Sequence, residues 1–368
     1  MKINAAVTPA IGARMTIAEM TLEAPRDNEV LVRVIAAGIC STDVHMRDHP
    51  SLAAKPIVLG HEGAGIVEQV GARVTRVKPG DHVVMHYNSC GHCAPCVEAD
   101  TAYCQHVGAY NFSGTRPDGS MALSHGGQPV HSHFFGQSSF ATHALCTDRN
   151  LVAVPDDVPL DMLGPLGCGI LTGAGAVINT LKVRPGSSFA VFGAGSVGLA
   201  AVMAARLSGA GKIIAVDTQQ ARLDMALELG ATHVIDPRNT DMPAEMRRIT
   251  GAGVNHALDT SGNITVIRQA VEALASRGVC GLISSANGAD ISLNVLNMMH
   301  GGRVVRGILL GDSVPEIFIP QLIELQRQGR FPFEKLITYY PFEQINQAVE
   351  DMEQGRVIKP VLRMTAGV

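Results

Sequence analysis

Ser188–Leu207 reads SFAVFGAGSVGLAAVMAARL. A β-prone run, Ser188–Phe192, stops at Gly193, and Gly193, Gly195 and Gly198 follow as G-x-G-x-x-G before an apolar, helix-forming stretch. Strand, glycine turn and helix in that order bring backbone N–H groups to a helix N-terminus, where they cradle a pyrophosphate. No charge lies between Ser187 and Ala205, which is long enough to raise a membrane span as a rival reading. The glycines argue against it. The next segment, KIIAVD, reads as a second strand ending on Asp217, at about the 20-residue spacing expected of a ribose-binding acid. A carboxylate there accepts bonds from the 2′- and 3′-hydroxyls and repels a 2′-phosphate, so the cofactor expected is NAD. Arg222, on the following helix, packs near the adenosine or reaches a phosphate. ATHVID, NHALDT and GVCGLI read as further strands, with a helical stretch at Ile264 to Ala275. The alternation predicts a doubly wound parallel sheet.

Upstream, the cysteines divide into two sets. Cys90, Cys93, Cys96 and Cys104 form Cys-x2-Cys-x2-Cys-x7-Cys, four thiolates from one loop and enough to close a tetrahedral zinc shell. Such a site is structural. Cys40, His61 and Cys168 lie far apart and offer three ligands with a fourth position open, as a catalytic zinc requires. Disulfides are the rival explanation. The N-terminus, MKINAAVTPAIGARMTIAEM, has no secretion-signal pattern, so a cytoplasmic, reducing location is expected and metal ligation with it.

The neighbours of the dispersed set are AAGICSTDVH around Cys40, GHEGAGIVEQVG from Gly60 to Gly71, and LGPLGCGILTGAGAV around Cys168. They resemble the zinc-containing medium-chain alcohol dehydrogenases, and the resemblance covers essentially the whole chain. Within that family, FFGQSSFATHAL and the tail from Phe318 to Met364 resemble the bacterial aryl-alcohol (benzyl-alcohol) dehydrogenases. The resemblance implies a GroES-like β-barrel catalytic domain over 1–169 with a structural-zinc lobe. A Rossmann NAD-binding domain is inserted over 170–308, and 309–368 returns to the barrel.

It also implies roles. Two thiolates and an imidazole leave zinc able to bind an alcohol oxygen and favour its ionisation near neutral pH. Thr42 matches the inner hydroxyl of a proton relay and His45 its outer base; an imidazole suits the task with an ordinary pKa near 6.5. Asp43 matches the carboxylate that orients the zinc-bound His, and Glu62 the acid behind the metal. Thr172 and Lys359 match cofactor contacts, with Lys359 expected at the pyrophosphate. Several relatives carry a basic residue directly after the first zinc cysteine. This chain has Ser41 there, which removes one phosphate contact. Tyr87, Phe134, Phe135 and Ile308 match an apolar substrate wall.

The activity implied is reversible oxidation of a primary, aromatic or allylic alcohol to its aldehyde, with two zincs per chain and hydride transfer to NAD. A polyol or secondary-alcohol dehydrogenase is the enzymatic alternative, although FFGQSSF and GILLG are apolar where a polyol needs polar partners. A non-catalytic NAD-binding relative is the alternative from another class, but such relatives lack the zinc residues present here.

Composition agrees with a globular enzyme: 368 residues, 46% hydrophobic and 17% charged. A net charge of −4 gives no footprint for nucleic acid or an anionic membrane. The partners expected are a small-molecule alcohol or aldehyde and further copies of the chain. The resemblance implies a homodimer or homotetramer joined around Leu293 to Leu310. Strand-like runs at Val30 to Ala36, Gly65 to Val70 and His82 to His86 suit an irregular barrel. Tyr103 to Ser139 shows no periodicity and is expected as a solvated loop. Its His106, His125, His131 and His133 fit no standard metal spacing. Cys146 and Cys280 are surplus to both zinc sets and read as small buried apolar residues.

Overall fold

The computed structural model describes residues 1–50, 54–238 and 240–364, and the chain divides into two compact units. The first comprises Met1–Cys168, Val314–Leu322 and Glu334–Val368. The second comprises Gly169–Ser313 and Ile323–Phe333. The inserted unit runs past 308 to Ser313 and takes back part of the tail.

The first unit holds two sheets. Ile57–Val58, Lys2–Thr8, Thr16–Leu22, Leu123–His125 and Gln128–Val130 lie in that order in an antiparallel five-stranded sheet. The seven-stranded sheet runs Leu151–Val154, His82–Met85, Glu62–Val70, Glu29–Gly38, Lys359–Arg363 and Ile337–Pro341, with His143–Thr147 also paired to Glu29–Gly38. Register in this sheet brings distant residues together. Gly38 faces Glu62 across the antiparallel pair, so Cys40, just beyond one strand, meets His61, just before the other. Val84 faces Ala64, which carries Met85 and His86 toward the same end.

Tyr103–Ser139 is not one solvated loop. Leu123–His125 and Gln128–Val130 form a hairpin that extends the five-stranded sheet, and single helical turns occupy Gly108–Phe112 and Phe134–Gly136. Short strands of three residues fall below what periodicity can register.

In the second unit six parallel strands run in the order His233–Ile235, Lys212–Val216, Ser188–Phe192, Val254–Asp259, Leu274–Leu282, Val304–Gly307. This is the doubly wound order 3-2-1-4-5-6. Ser188–Phe192 is buried along its whole length, as a central parallel strand covered on both faces must be. Ala190, Phe192, Ile214, Val216, Ala257 and Cys280 share a core with Met246, Ile249 and Val271 from the helices. The expected helix over Ile264 to Ala275 stops at Glu272, and the next strand already begins at Leu274. Arg277 sits at φ 63° inside that strand, and pairing slips between Val254 and His256. The irregular start gives no clean two-residue alternation, and Leu274–Ala275 reads as the end of a helix.

Candidate functional site

Cys40 is the N-cap of the helix Ser41–Asp48, and Asp43 in that helix's first turn accepts the Cys40 backbone N–H through Oδ2 at 2.9 Å. The same carboxylate reaches across to the other strand. Its Oδ1 accepts the Gly60 N–H at 3.1 Å and lies 2.8 Å from His61 Nδ1. Asp43 therefore fixes the His61 ring with Nδ1 as donor and Nε2 as the free lone pair. Cys168 follows the tight turn Gly164–Gly167, where a side chain on Gly167 would sit 2.1 Å from the Met85 carbonyl oxygen. Glycine lets that turn lie against the strand.

The ligating atoms of Cys40, His61, Glu62 and Cys168 all fall within 4.8 Å of one another, and all four residues are buried. A hydrogen bond from Cys168 lowers the Cys40 thiol well below its ordinary value and raises that of Cys168. Burial opposes charge on His61, but the Asp43 carboxylate outweighs it and raises the imidazole. His61 Nε2 is buried with no hydrogen-bond partner. Two sulfurs and an orphaned imidazole nitrogen converging in a dry place fit Zn²⁺.

Behind this set the structure corrects the reading of Lys359. Its side chain is 1% exposed, and Nζ donates to both Glu62 oxygens, at 3.0 and 2.8 Å, and to the Ile39 carbonyl at 3.0 Å. It is the counter-charge of Glu62 and has no exposed ammonium to offer a pyrophosphate. Burial raises the Glu62 carboxyl, while Glu62 holds Lys359 above its ordinary value against the opposing effect of burial. Lys359→Met leaves a buried carboxylate unpaired and is expected to cost about 3–5 kcal/mol. Urea unfolding checks this, and adding Glu62→Gln should recover most of the loss.

Thr42 Oγ1 lies 3.8 Å from Cys40 Sγ. His45, on the same helix, is exposed, its ring 4.6 Å from that of His49. Phe134 and Phe135 meet the metal set directly. Their rings are 5.5 and 4.4 Å from the His61 ring, and both also pack on Phe112. Gln137 latches this segment to the ligand strand: Nε2 donates to the His61 carbonyl at 2.9 Å, and Oε1 accepts the Gly63 N–H at 3.1 Å. Tyr87 is turned toward the cysteine lobe, with its hydroxyl 2.7 Å from Thr101 Oγ1. Ile308 lies in the second unit, where it is buried and its side chain fills the space over Gly281.

His86 is a residue that the sequence did not single out. It is 3% exposed, and neither ring nitrogen has a hydrogen-bond partner. Burial lowers its imidazole to about 4, and the same cause lowers His133 to about 4. Both values are depressed from 6.5. Their stabilising effect is therefore complete above pH 6.5 and is lost as pH falls toward 4. Each contributes ~3 kcal/mol to that loss. Unfolding free energy should fall across this window, and His86→Leu should remove about half of the histidine contribution; an unchanged pH slope in the variant would refute the assignment.

In the lobe, Cys90, Cys93, Cys96 and Cys104 bring their sulfurs within 4.8 Å of one another. The Cys90–Cys96 and Cys93–Cys104 sulfurs stand 3.9 and 4.0 Å apart, far beyond a disulfide bond. Backbone N–H groups of Cys93, Cys90, Gln105 and His106 point at sulfurs. The Gln105 N–H lowers Cys93 to about 6, whereas burial pushes Cys96 up to about 12. Four convergent thiols with donors already aimed at them fit a closed zinc shell. Cys146 and Cys280 lie apart from both sets and are buried.

In the second unit Gly193 has φ 102°, a conformation that glycine adopts freely, and a side chain on Gly198 would strike the Gly193 carbonyl at 1.9 Å. Gly195 caps the helix Ser196–Leu207 and has open space above it. Asp217 accepts the Ala194 N–H at 2.7 Å and the Gln219 N–H at 2.8 Å, so its carboxylate is pinned at the glycine turn. Arg222 Nη1 is 3.8 Å from Asp217, beside it on the next helix. Thr172 lies buried in the helix Gly169–Gly175.

Two family descriptions match the chain: "Alcohol dehydrogenase GroES-like domain" over residues 26–156 and "Zinc-binding dehydrogenase" over 196–326. A geraniol dehydrogenase of Castellaniella defragrans is 44% identical over 98% of this chain and 97% of its own. A crystal structure of benzyl alcohol dehydrogenase from Acinetobacter calcoaceticus is 44% identical with a TM-score of 0.96, covering 99% of this chain and 100% of that one. An alcohol dehydrogenase zinc-binding domain protein from Burkholderia ambifaria is 51% identical with a TM-score of 0.97, covering 100% of both. The chain is a member of the zinc-binding alcohol dehydrogenase family, with its GroES-like and Rossmann-type parts. It is an alcohol dehydrogenase that takes its cofactor from the NAD(P) group.

Proposed function

We propose that this enzyme interconverts primary aromatic or allylic alcohols and their aldehydes, with NAD as cofactor. One zinc would be held by Cys40, His61 and Cys168 and a second by Cys90, Cys93, Cys96 and Cys104. The observation that carries the substrate reading is the Phe134–Phe135 pair against His61. It sets aromatic surface beside a metal ligand, where an unsaturated group next to the reacting carbon would lie. The names of the geraniol and benzyl alcohol dehydrogenases support the same class.

When bound, zinc polarises the alcohol oxygen and NAD accepts the hydride. The chain's own residues do the rest. Asp43 holds the His61 tautomer and, through the Cys40 N–H, the start of the ligand helix. Thr42 would accept the alcohol proton while giving up its own hydroxyl proton outward, and exposed His45 would take up that proton and release it to solvent. Glu62 and Lys359 form a neutral pair behind the ligands, so neither of these two buried charges is left unpaired.

Asp217 favours NAD by excluding a 2′-phosphate. Purified enzyme should reduce NAD with benzyl alcohol or geraniol and strongly prefer it to NADP. Asp217→Gly should shrink that preference by at least tenfold, or about 1.4 kcal/mol. Equal use of both cofactors by the wild type would refute this role. The chain is also proposed to form a homodimer or homotetramer. Val304–Gly307 is an edge strand, and Val295, Leu296, Met299, Val304 and Leu309 around it are exposed. Among the described residues no helix is long and apolar enough to cross a membrane.

A further inference from the structure

Among the described residues three clusters of ligating side chains converge, and the reaction and the structural lobe use two of them. The third is Cys90, His92 and His106, whose ligating atoms lie within 4.8 Å of one another. We propose that these residues form a third, solvent-facing zinc site that shares the Cys90 thiolate with the four-cysteine lobe.

Exposure separates Cys90 from its companions. Cys93, Cys96 and Cys104 are 8, 9 and 2% exposed, whereas Cys90 is only half-buried. The two imidazoles stand within reach of its sulfur. Both histidines are exposed, and their rings stand 5.9 Å apart at 35°. Each is tied to the lobe: His92 Nδ1 lies 2.9 Å from the Cys90 carbonyl oxygen, and the His106 N–H points at Cys104 Sγ at 3.4 Å. Donation from Nδ1 leaves the other His92 nitrogen unprotonated in the neutral ring, the state a metal needs.

Chemistry and charge favour a soft-to-borderline divalent cation here. A thiolate bound to one metal keeps lone pairs for a second, and one sulfur with two imidazoles suits zinc, leaving a fourth position for water. Four thiolates around one Zn²⁺ leave two negative charges in the lobe. The Arg149 guanidinium, packed over Gly91, offsets one of them. The remainder draws a cation toward the exposed His92 and His106. Linear spacing hid this site, because His106 joins not the other histidines of its segment but His92, which lies beside two lobe cysteines in Cys90-Gly-His92-Cys93.

The inference rests on the lobe holding zinc, so the test reads tight and exchangeable metal separately. Holoenzyme is first dialysed against zinc-free buffer to record its tightly held zinc. It is then equilibrated with zinc alone, at free concentrations buffered in the micromolar range, and the uptake is counted. Wild type should gain one further zinc per chain. The H92A/H106A variant should gain none while keeping its tight zinc and its unfolding midpoint. H125A/H300A, which removes two exposed histidines elsewhere, should gain one like the wild type. No uptake by wild type, or equal uptake by H92A/H106A, would overturn the third site. Tight zinc below two per chain would count against the lobe or reaction-centre assignment, whereas the third site is read from the difference between wild type and H92A/H106A.

Discussion

Cys168→Ser should lower alcohol oxidation by about three orders of magnitude, because it removes one of three ligands from the open metal set, and metal polarisation contributes several kcal/mol at about 1.4 kcal/mol per tenfold. Fold and cofactor binding should survive. Cys168 closes no loop by itself, and the Asp43–His61 and Glu62–Lys359 contacts do not pass through it. Cys96→Ser should do the reverse. On the proposed assignment its sulfur completes a closed shell whose binding free energy is folding free energy, so losing it should cost several kcal/mol, at about 2–4 °C of midpoint each. The measurements are thermal unfolding, cofactor titration and steady-state rate on both variants. Equal loss of folding in the two would sink the division between a reaction centre and a structural lobe.

Both sets of ligating residues and the glycine turn are legible because their signals are local or bound to short motifs. Cys90 to Cys104 is one short stretch, and Ser188 to Asp217 is one strand-turn-helix-strand unit. The parallel sheet is legible for a related reason, since each of its strands is a short apolar run between helical stretches. What stays hidden depends on residues that meet across long separations. Lys359 and Glu62 are 297 positions apart, and nothing around either says that the ammonium points inward. The burial of His86 is of the same kind: nothing in the run from His82 to His86 says that its last residue is covered until the turn before Cys168 is laid against that end of the strand. The register pairing Gly38 with Glu62 is what brings two unrelated segments into one cluster of ligating atoms. Family resemblance anticipated that meeting, but residue spacing alone could not.

Benzyl, cinnamyl and similar alcohols should exceed ethanol in kcat/KM by up to about three orders of magnitude. Benzyl alcohol carries about five more carbons than ethanol, and at ~0.8 kcal/mol per buried carbon the gross gain is ~4 kcal/mol. Strain and ordering subtract from that figure. The apolar surface is in place: Phe134 and Phe135 lie 4.9 Å apart, ring to ring, and Phe135 is stacked at 4.4 Å on His61. Conjugation in the aldehyde also makes oxidation less uphill. Phe135→Ala should then lower the benzyl-to-ethanol ratio by about 10- to 100-fold. Because Phe135 is 8% exposed, truncation also removes packing, so Phe135→Leu serves as the milder variant and the ratio, not the absolute rate, is the readout. A merely structural phenylalanine would depress both substrates together and leave the ratio unchanged. Wild-type activity on ethanol equal to that on benzyl alcohol, or a preference for a polyol such as sorbitol, would reject the aromatic and allylic class. The zinc ligands and Asp217 would then keep their roles, since neither depends on what the phenylalanine pair contacts.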